Sequence, residues 1–455
     1  MKISIKNNLY RSFLLLAVFC VTACRSVPTH KTNGKTPKEQ NVPAQKKTEE
    51  LSTTSATNNG ACSECLNACH GILRQATQYE LLLGIEQVEA YQKIFAGKRV
   101  GLITNATGIN KAGKSSIDIL NESVQLVALF SPEHGIRGNE TAGKIVSHGI
   151  DKKTGLPVYS LYGAAKRPTK EMLNGIDILC FDIQDVGARF YTYIWTLCYA
   201  MEACAAYGKD FVVFDRPNPI GNTVEGAILQ LPYRSFVGYL PIAQRHGMTV
   251  GELSRMFNTE FKIGCRLQVI PMQHYDAKKY FTEYPLLWIP TSPNIPHAET
   301  ALVYSGICLF EGCNLSVGRG TAMPFEYLGA PYIDAEDFSD ALNAVGLEGV
   351  FFYPAYFTPT TSIYAGQACQ GIQIIVRDQK TIRPVQVAVY IFDTLKKMYP
   401  HSFKVNNATS QFAGINLLSG TPYFSEKNFD AAAVLEKMQA DSEKFTEQRK
   451  PYLLY

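Results

Sequence analysis

With 455 residues the chain is too long for one ordinary domain, and its length allows a large buried core. Only 18% of residues are charged and the formal net charge is +4, part of it near the N-terminus, which excludes the basic stripe expected of a nucleic-acid binder.

The first predicted element is an export signal. Lys2, Lys6 and Arg11 precede the apolar run FLLLAVFCV, which is too short to cross a bilayer as a stable helix. The run ends in VTAC, Val21–Cys24, which resembles a bacterial lipobox. Residues 1–24 are therefore read as a lipoprotein signal, with Cys24 as the lipid-bearing first residue after cleavage, against the alternative of an ordinary signal with an incidental cysteine. Residues 25–75 are read as a tether, because up to about Gly60 they contain almost no large apolar residue and cannot bury enough surface to fold. The tether carries Cys62, Cys65, Cys69 and His70, enough ligands for zinc. No matching second pair follows, and an exported chain more often uses thiols as disulfides, so no metal site is assigned. Cys180, Cys198, Cys204, Cys265 and Cys308 lie in apolar contexts and read as small core residues.

From Tyr79 onward strands alternate with helices. RVGLIT (99–104) ends in NATG, VQLVALF (124–130) in SPEHG, IDILCFD (176–182) in IQDVGARF and DFVVFD (210–215) in RPNPIG. The clearest helix is TYIWTLCYAMEACAAYG, 192–208, with Gly208 where a C-cap belongs. Continuous apolar strands separated by helices predict an α/β fold, a Rossmann-like, mostly parallel sheet covered on both faces, over residues 76–296. Ligands of such sheets bind beyond the carboxyl ends of the strands. Asn105, Glu133, His134, Arg137, Asp185 and Arg189, together with Asp215, Arg216 and Asn218, are thus expected at one edge. Some have a plainer reading: Asn105 and Asn218 as turn formers, Asp182 or Asp185 as helix caps. Glu133, between a proline and a histidine, is a poor choice for a mere turn.

Pro290, Pro293 and Pro296 imply a stiff crossing segment, and SVGRGTAMPFEY adds the cation Arg319 near Glu311 and Glu326. GIQIIVRD then reads as a strand and PVQVAVYIFDTLKKMYP as an amphipathic helix, predicting a smaller α+β auxiliary domain over 297–455. The chain has no G-x-G-x-x-G after its first strand, no P-loop, no G-x-S-x-G and no H-E-x-x-H. What remains is carboxylates, arginines and aromatics, a set suited to acid/base work on a polar, anionic ring. Tyr191, Tyr193 and Trp195 have the chemistry to stack on a sugar, although the spacing places Trp195 in the core.

The blocks GLITNATGIN, LFSPEHGIRG, DIQDVGARFYTYIWTL, FDRPNPIGN, QRHGMTVGE, PTSPNIPHAETALVY and EGCNLSVGRGTAMPFEYLGAP resemble, in order, those of the NamZ/YbbC family of exo-β-N-acetylmuramidases, from about Val88 to the C-terminus. The resemblance implies a Rossmann-like catalytic domain with an auxiliary C-terminal domain. It implies hydrolysis of the β-1,4 bond that releases non-reducing terminal N-acetylmuramic acid from peptidoglycan-derived MurNAc-GlcNAc saccharides, and no cofactor. By the same resemblance Glu133 is the candidate catalytic glutamate, read here as the general acid; of the carboxylates available, Asp185 is read as orienting group or base. Glu225 or the substrate's own 2-acetamido group are alternatives to Asp185, so retention and inversion both stay open. Arg137, Arg189 and Arg319 compete for the lactyl carboxylate, and Asn105, His134, Tyr191, Tyr193 and Asn294 complete the expected binding set. Two rival readings are a non-catalytic muropeptide-binding lipoprotein and a metal-dependent hydrolase gathering Glu133, His134, Asp182 and Asp185. The lipid anchor would hold the protein on a membrane facing the periplasm or cell surface.

Overall fold

The computed structural model describes residues 80–133, 135–136, 149–163, 165–405 and 414–455. The expected signal, Cys24, the cysteine-bearing tether, His134 and Arg137 lie outside them.

The chain first builds β1 (Arg99–Thr104), helix α1 (Ser116–Ser123) and β2 (Gln125–Ser131), followed by the short β3 (Gly149–Ile150) and β4 (Pro157–Ser160). Next come β5 (Ile178–Asp182), α2 (Tyr193–Ala206), β6 (Asp210–Phe214), the ribbon strands β7 (Glu225–Ile228) and β8 (Ala243–Arg245), α3 (Val250–Thr259) and β9 (Arg266–Ile270). Seven strands form one sheet in the order β3-β4-β2-β1-β5-β6-β9, parallel except for the β3–β4 pair. From β4 to β9 this is the doubly wound order, running outward to β4, then restarting beside β1 and running out to β9.

Every residue of β5 is buried, which explains why its sequence is apolar on both faces until Asp182. Alternate residues enter separate cores. Leu102, Ile178 and Cys180 pack on one face, while Ile103, Leu179 and Phe181 pack on the other with Trp195 and most of α2. Trp195 is fully buried, stacks on Phe257 and donates from Nε1 to the Arg189 carbonyl at 2.8 Å. The seven described cysteines are all buried and unpaired, the five expected as core residues among them.

The later chain forms α4 (Ala298–Ile307), β10 (Tyr327–Ala330), α5 (Ala335–Asn343), β11 (Val350–Phe357), β12 (Cys369–Val376), α6 (Pro384–Met398), α7 (Ile415–Ser419) and α8 (Ala431–Arg449). An antiparallel sheet in the order β10-β12-β11 is covered by α5, and α4 packs on α6, which is the α+β layer expected of an auxiliary domain. Helix α8 reaches back across the β7–β8 ribbon, so the described chain is one compact unit.

Three of the polar residues expected at the ligand edge are structural. Arg216 forms a buried two-point pair with Asp182, Nε to Oδ1 at 2.5 Å and Nη2 to Oδ2 at 2.8 Å, and Ser116 also donates to this carboxylate. Asp182 is thus committed to Arg216, which removes it from the proposed metal set. Asp215 is fully buried and accepts from Gly251 N at 2.7 Å, Thr249 Oγ1 at 2.8 Å and the C-terminal Tyr455 hydroxyl at 2.8 Å. A Cβ on Gly251 would lie 2.6 Å from the Asp215 carboxyl carbon, so only glycine lets the start of α3 close onto it. The same turn carries a Thr249–Glu252 capping box. Asn218 is a turn former, accepting from Ile220 N at 3.1 Å and donating to the Met248 carbonyl at 3.0 Å.

Burial, reinforced by the nearby Glu252 carboxylate, pushes the Asp215 carboxyl up to about 7 from its ordinary 3.8. The folded chain therefore holds a proton that the unfolded chain releases. The stability this confers is complete below 3.8 and is lost as pH rises through about 7. Thermal unfolding between about pH 4 and 8 is expected to show midpoints falling with pH across this window, and Asp215→Asn to flatten the fall; an unchanged slope in the variant would assign it to other groups.

Candidate active site

The strand order reverses between β1 and β5, so the crevice of the sheet opens beyond Thr104 and Asp182. Asn105, the first residue after β1, folds its side chain back as a turn: Oδ1 accepts from Thr107 N at 2.9 Å and Thr107 Oγ1 at 2.6 Å. Thr107 Oγ1 accepts from Gln184 N at 3.0 Å and so ties the β1 end to the β5 end. Thr107, Gln184, Asn110 and Arg216 face Phe281 and Trp288 across a cleft of about 340 Å³, open mouth included.

Glu133 follows Ser131 and Pro132 at the end of β2 and is half-buried. Thr192 donates from Oγ1 to Glu133 Oε2 at 2.9 Å, and the Tyr162 phenol lies near enough to the Glu133 carboxylate to feel its charge. Burial and the Glu133 carboxylate push the Tyr162 phenol well above its ordinary value, so this hydroxyl keeps its proton. Both residues sit on elements that the sheet brings to Glu133. Tyr162 follows β4, the neighbour of β2, and Thr192 stands at the entrance to α2.

Tyr191 and Tyr193 lie behind Glu133 but do not offer ring faces to a sugar. Their rings meet edge to face with centroids 4.9 Å apart, and Tyr191 meets Tyr304 in the same way at 5.7 Å. Both are buried, and burial raises both phenols. Tyr193 donates to the Thr291 carbonyl at 2.6 Å, pinning the proline-rich crossing segment to α2. Asn294, on that segment, is half-buried, and its backbone N–H donates to Ser292 Oγ at 3.2 Å. The stacking expectation thus gives way to packing.

Asp185 is 5% exposed; Oδ2 accepts from Gly187 N at 2.7 Å and faces His246 Nε2 at 3.6 Å, while Oδ1 is buried with no hydrogen-bond partner among the described residues. Glu225, the other candidate second carboxylate, accepts from Gln386 N at 2.9 Å and faces Arg245. Of the arginines considered for the lactyl carboxylate, Arg189 is fully buried, donating to the carbonyls of Ala227, Ile242, Leu418 and Ser419 at 2.5–3.1 Å. It has no donor left for a substrate carboxylate beyond Nε, which is itself sealed. Arg319 pairs through Nε with Glu311 and lies over the Phe325 ring, 5.0 Å from its centroid.

Sequence reasoning missed Tyr162 and Thr192. The signal for Tyr162 was PVYS, a short strand whose pairing with β2 sets Tyr162 beside Glu133; for Thr192 it was an N-cap residue type at the start of the clearest helix.

Residues 100–299 match the model of the N-terminal domain of the exo-beta-N-acetylmuramidase NamZ, and residues 302–455 match that of its C-terminal domain. The chain belongs to the NamZ family. The peptidoglycan beta-N-acetylmuramidase NamZ of Bacillus subtilis (strain 168) is 46% identical over 371 residues, covering 80% of this chain and 89% of that protein. Two DUF1343 family proteins of Bacteroides fragilis NCTC 9343, known from crystal structures, are similar throughout. One has 37% identity and a TM-score of 0.76, the other 35% and 0.65, each match covering 83% of this chain and 99% of the other. The two NamZ domain models meet at α4, immediately after the crossing segment.

Arg189→Met is expected to lower the stability of this NamZ family member by about 3 kcal/mol or more, because four buried carbonyls lose their donors. Urea unfolding measures this, and an unchanged midpoint would show that the carbonyls find other partners.

Proposed function

We propose that Glu133 is the general acid of an exo-acting β-N-acetylmuramidase. The protein is a glycoside hydrolase acting on peptidoglycan fragments, cleaving the β-1,4 bond of a non-reducing terminal N-acetylmuramic acid. What supports this reading is the NamZ match along both domains, together with the half-buried Glu133 carboxyl, within the chain's own SPEHG, just past the end of β2. In the proposed step the Glu133 proton passes to the glycosidic oxygen. The bond from that oxygen to C1 then breaks, and its electron pair leaves with the aglycone. Water adds its hydroxyl to C1, and the proton it gives up restores the Glu133 acid by way of solvent.

Product analysis by mass spectrometry on a defined MurNAc-GlcNAc disaccharide tests this. Wild type is expected to release free N-acetylmuramic acid, and Glu133→Gln to lose about a hundredfold or more of the rate while folding normally. Near-normal turnover in the variant would remove Glu133 from the chemistry.

The proposal extends to location. The lysine- and arginine-led apolar run ending in VTAC supports processing at Cys24 and anchorage by lipid to a membrane facing the periplasm or cell surface. Cys24→Ala is expected to move the protein out of the membrane fraction of the producing cell. Retention of the variant there at the wild-type level would reject the lipid anchor.

A further inference from the structure

We infer that the Tyr162 and Thr192 hydroxyls form a preorganised donor pair that stabilises the Glu133 carboxylate as its proton leaves for the glycosidic oxygen. This rests on the reading of Glu133 as the acid and adds to it two positioning residues, neither of which needs to touch the sugar.

Three observations carry the inference. The first is register. Parallel pairing of β2 with β4 sets Ser131 opposite Ser160, and Leu161 N donates to the Ser131 carbonyl at 2.8 Å. Glu133 and Tyr162 each lie two residues beyond that pair, so adjacent strands deliver them side by side, within the roughly 5 Å spacing of neighbouring strands. The second is the behaviour of Thr192. It occupies the N-cap of α2, where a threonine hydroxyl normally accepts from the first turn, yet it makes no such bond. Its hydroxyl donates to Glu133 Oε2 at 2.9 Å instead. The Thr192 backbone is already helical (φ −75°, ψ −11°), which turns the hydroxyl away from the first-turn N–H groups and leaves it for the glutamate. The positive end of the α2 dipole adds to the same effect.

The third is access. Glu133, Tyr162 and Thr192 are all half-buried, unlike the sealed Tyr191, Tyr193 and Asp185, so the carboxyl they hold lies at a rim a saccharide can reach.

The chemistry follows from charge. While Glu133 is protonated, the two hydroxyls meet a neutral group. As its O–H bond breaks and the proton goes to the glycosidic oxygen, negative charge develops on the carboxylate, and both hydroxyls interact with it more strongly. Donors fixed where charge develops lower the barrier more than they stabilise the bound substrate. The benefit therefore depends on the leaving group: a GlcNAc alcohol needs its oxygen protonated, whereas a nitrophenolate departs without that help.

The test uses the purified full chain with Tyr162→Phe, which keeps the ring and its contact with Phe236, and Thr192→Val, which removes a hydroxyl that caps nothing. kcat/KM is measured on MurNAc-GlcNAc and on 4-nitrophenyl β-N-acetylmuramide, with unfolding midpoints alongside. Each variant is expected to lose roughly ten- to a hundredfold on the disaccharide and less than about threefold on the nitrophenyl substrate. Equal losses on both substrates, or no loss on the disaccharide, would overturn the inference while leaving Glu133 as the acid. Full activity of Glu133→Gln on the disaccharide would overturn the Glu133 reading and this inference together.

Discussion

Among the described residues the Arg189 guanidinium pairs with no carboxylate; it is held in the interior by four backbone carbonyls, two from the β7–β8 ribbon region and two from the end of α7. Burial lowers the guanidinium to about 9, a sign of how much the missing water costs. Charge-assisted hydrogen bonds at about 1.5–3 kcal/mol each oppose a desolvation penalty of several kcal/mol, so the net gain is modest and the geometric constraint is strong. The backbone of Arg189 is held as well, donating to the Gln244 carbonyl at 2.8 Å and accepting from Trp195 Nε1 at 2.8 Å. Three residues later stands Thr192, which reaches Glu133. The staple that joins the last part of the chain to the first sheet thus also sets the segment that holds the candidate acid.

The edge of the sheet divides its polar residues between two kinds of work. A sheet buried on both faces brings Asp182, Arg216 and Asp215 into the interior, where each needs partners. Asp182 and Arg216 satisfy each other, and Asp215 draws in α3 and the C-terminal tyrosine. Polar residues that remain at the rim, Glu133 with Tyr162 and Thr192, keep partial contact with solvent. The sequence marks both kinds with the same signature, a strand followed by charge and glycine, which is why reading it assigned too many residues to the ligand.

The crossing segment ties the two parts of the chain together. Tyr193 fixes the Thr291 carbonyl on the crossing segment, and that segment leads directly into α4, which packs on α6 of the auxiliary layer. The stiffness of Pro290, Pro293 and Pro296 suits a strut in this position.

The strands β1, β2, β5 and β6, helices α2 and α6, the buried cysteines and the order of the motif blocks were legible because each rests on local pattern: apolar runs of the right length, a 3.6-residue period, a glycine at a helix end. Glu133 was legible for the same reason, as a carboxyl out of place after a strand. The inward turn of Arg189, the sealing of Tyr191 and Asp185, the pairing of Arg319 with Glu311 and the meeting of Tyr162 with Glu133 were not legible. Each depends on which strands pair and in what register, and on which carbonyls a folded loop presents, and a linear sequence does not state contacts between residues far apart along it. Sequence alone determined where the strands end and which chemistry stands there; tertiary structure decided which of those groups stay at the rim and which are used to hold the fold together, because only packing sets the balance between solvation and burial for each one.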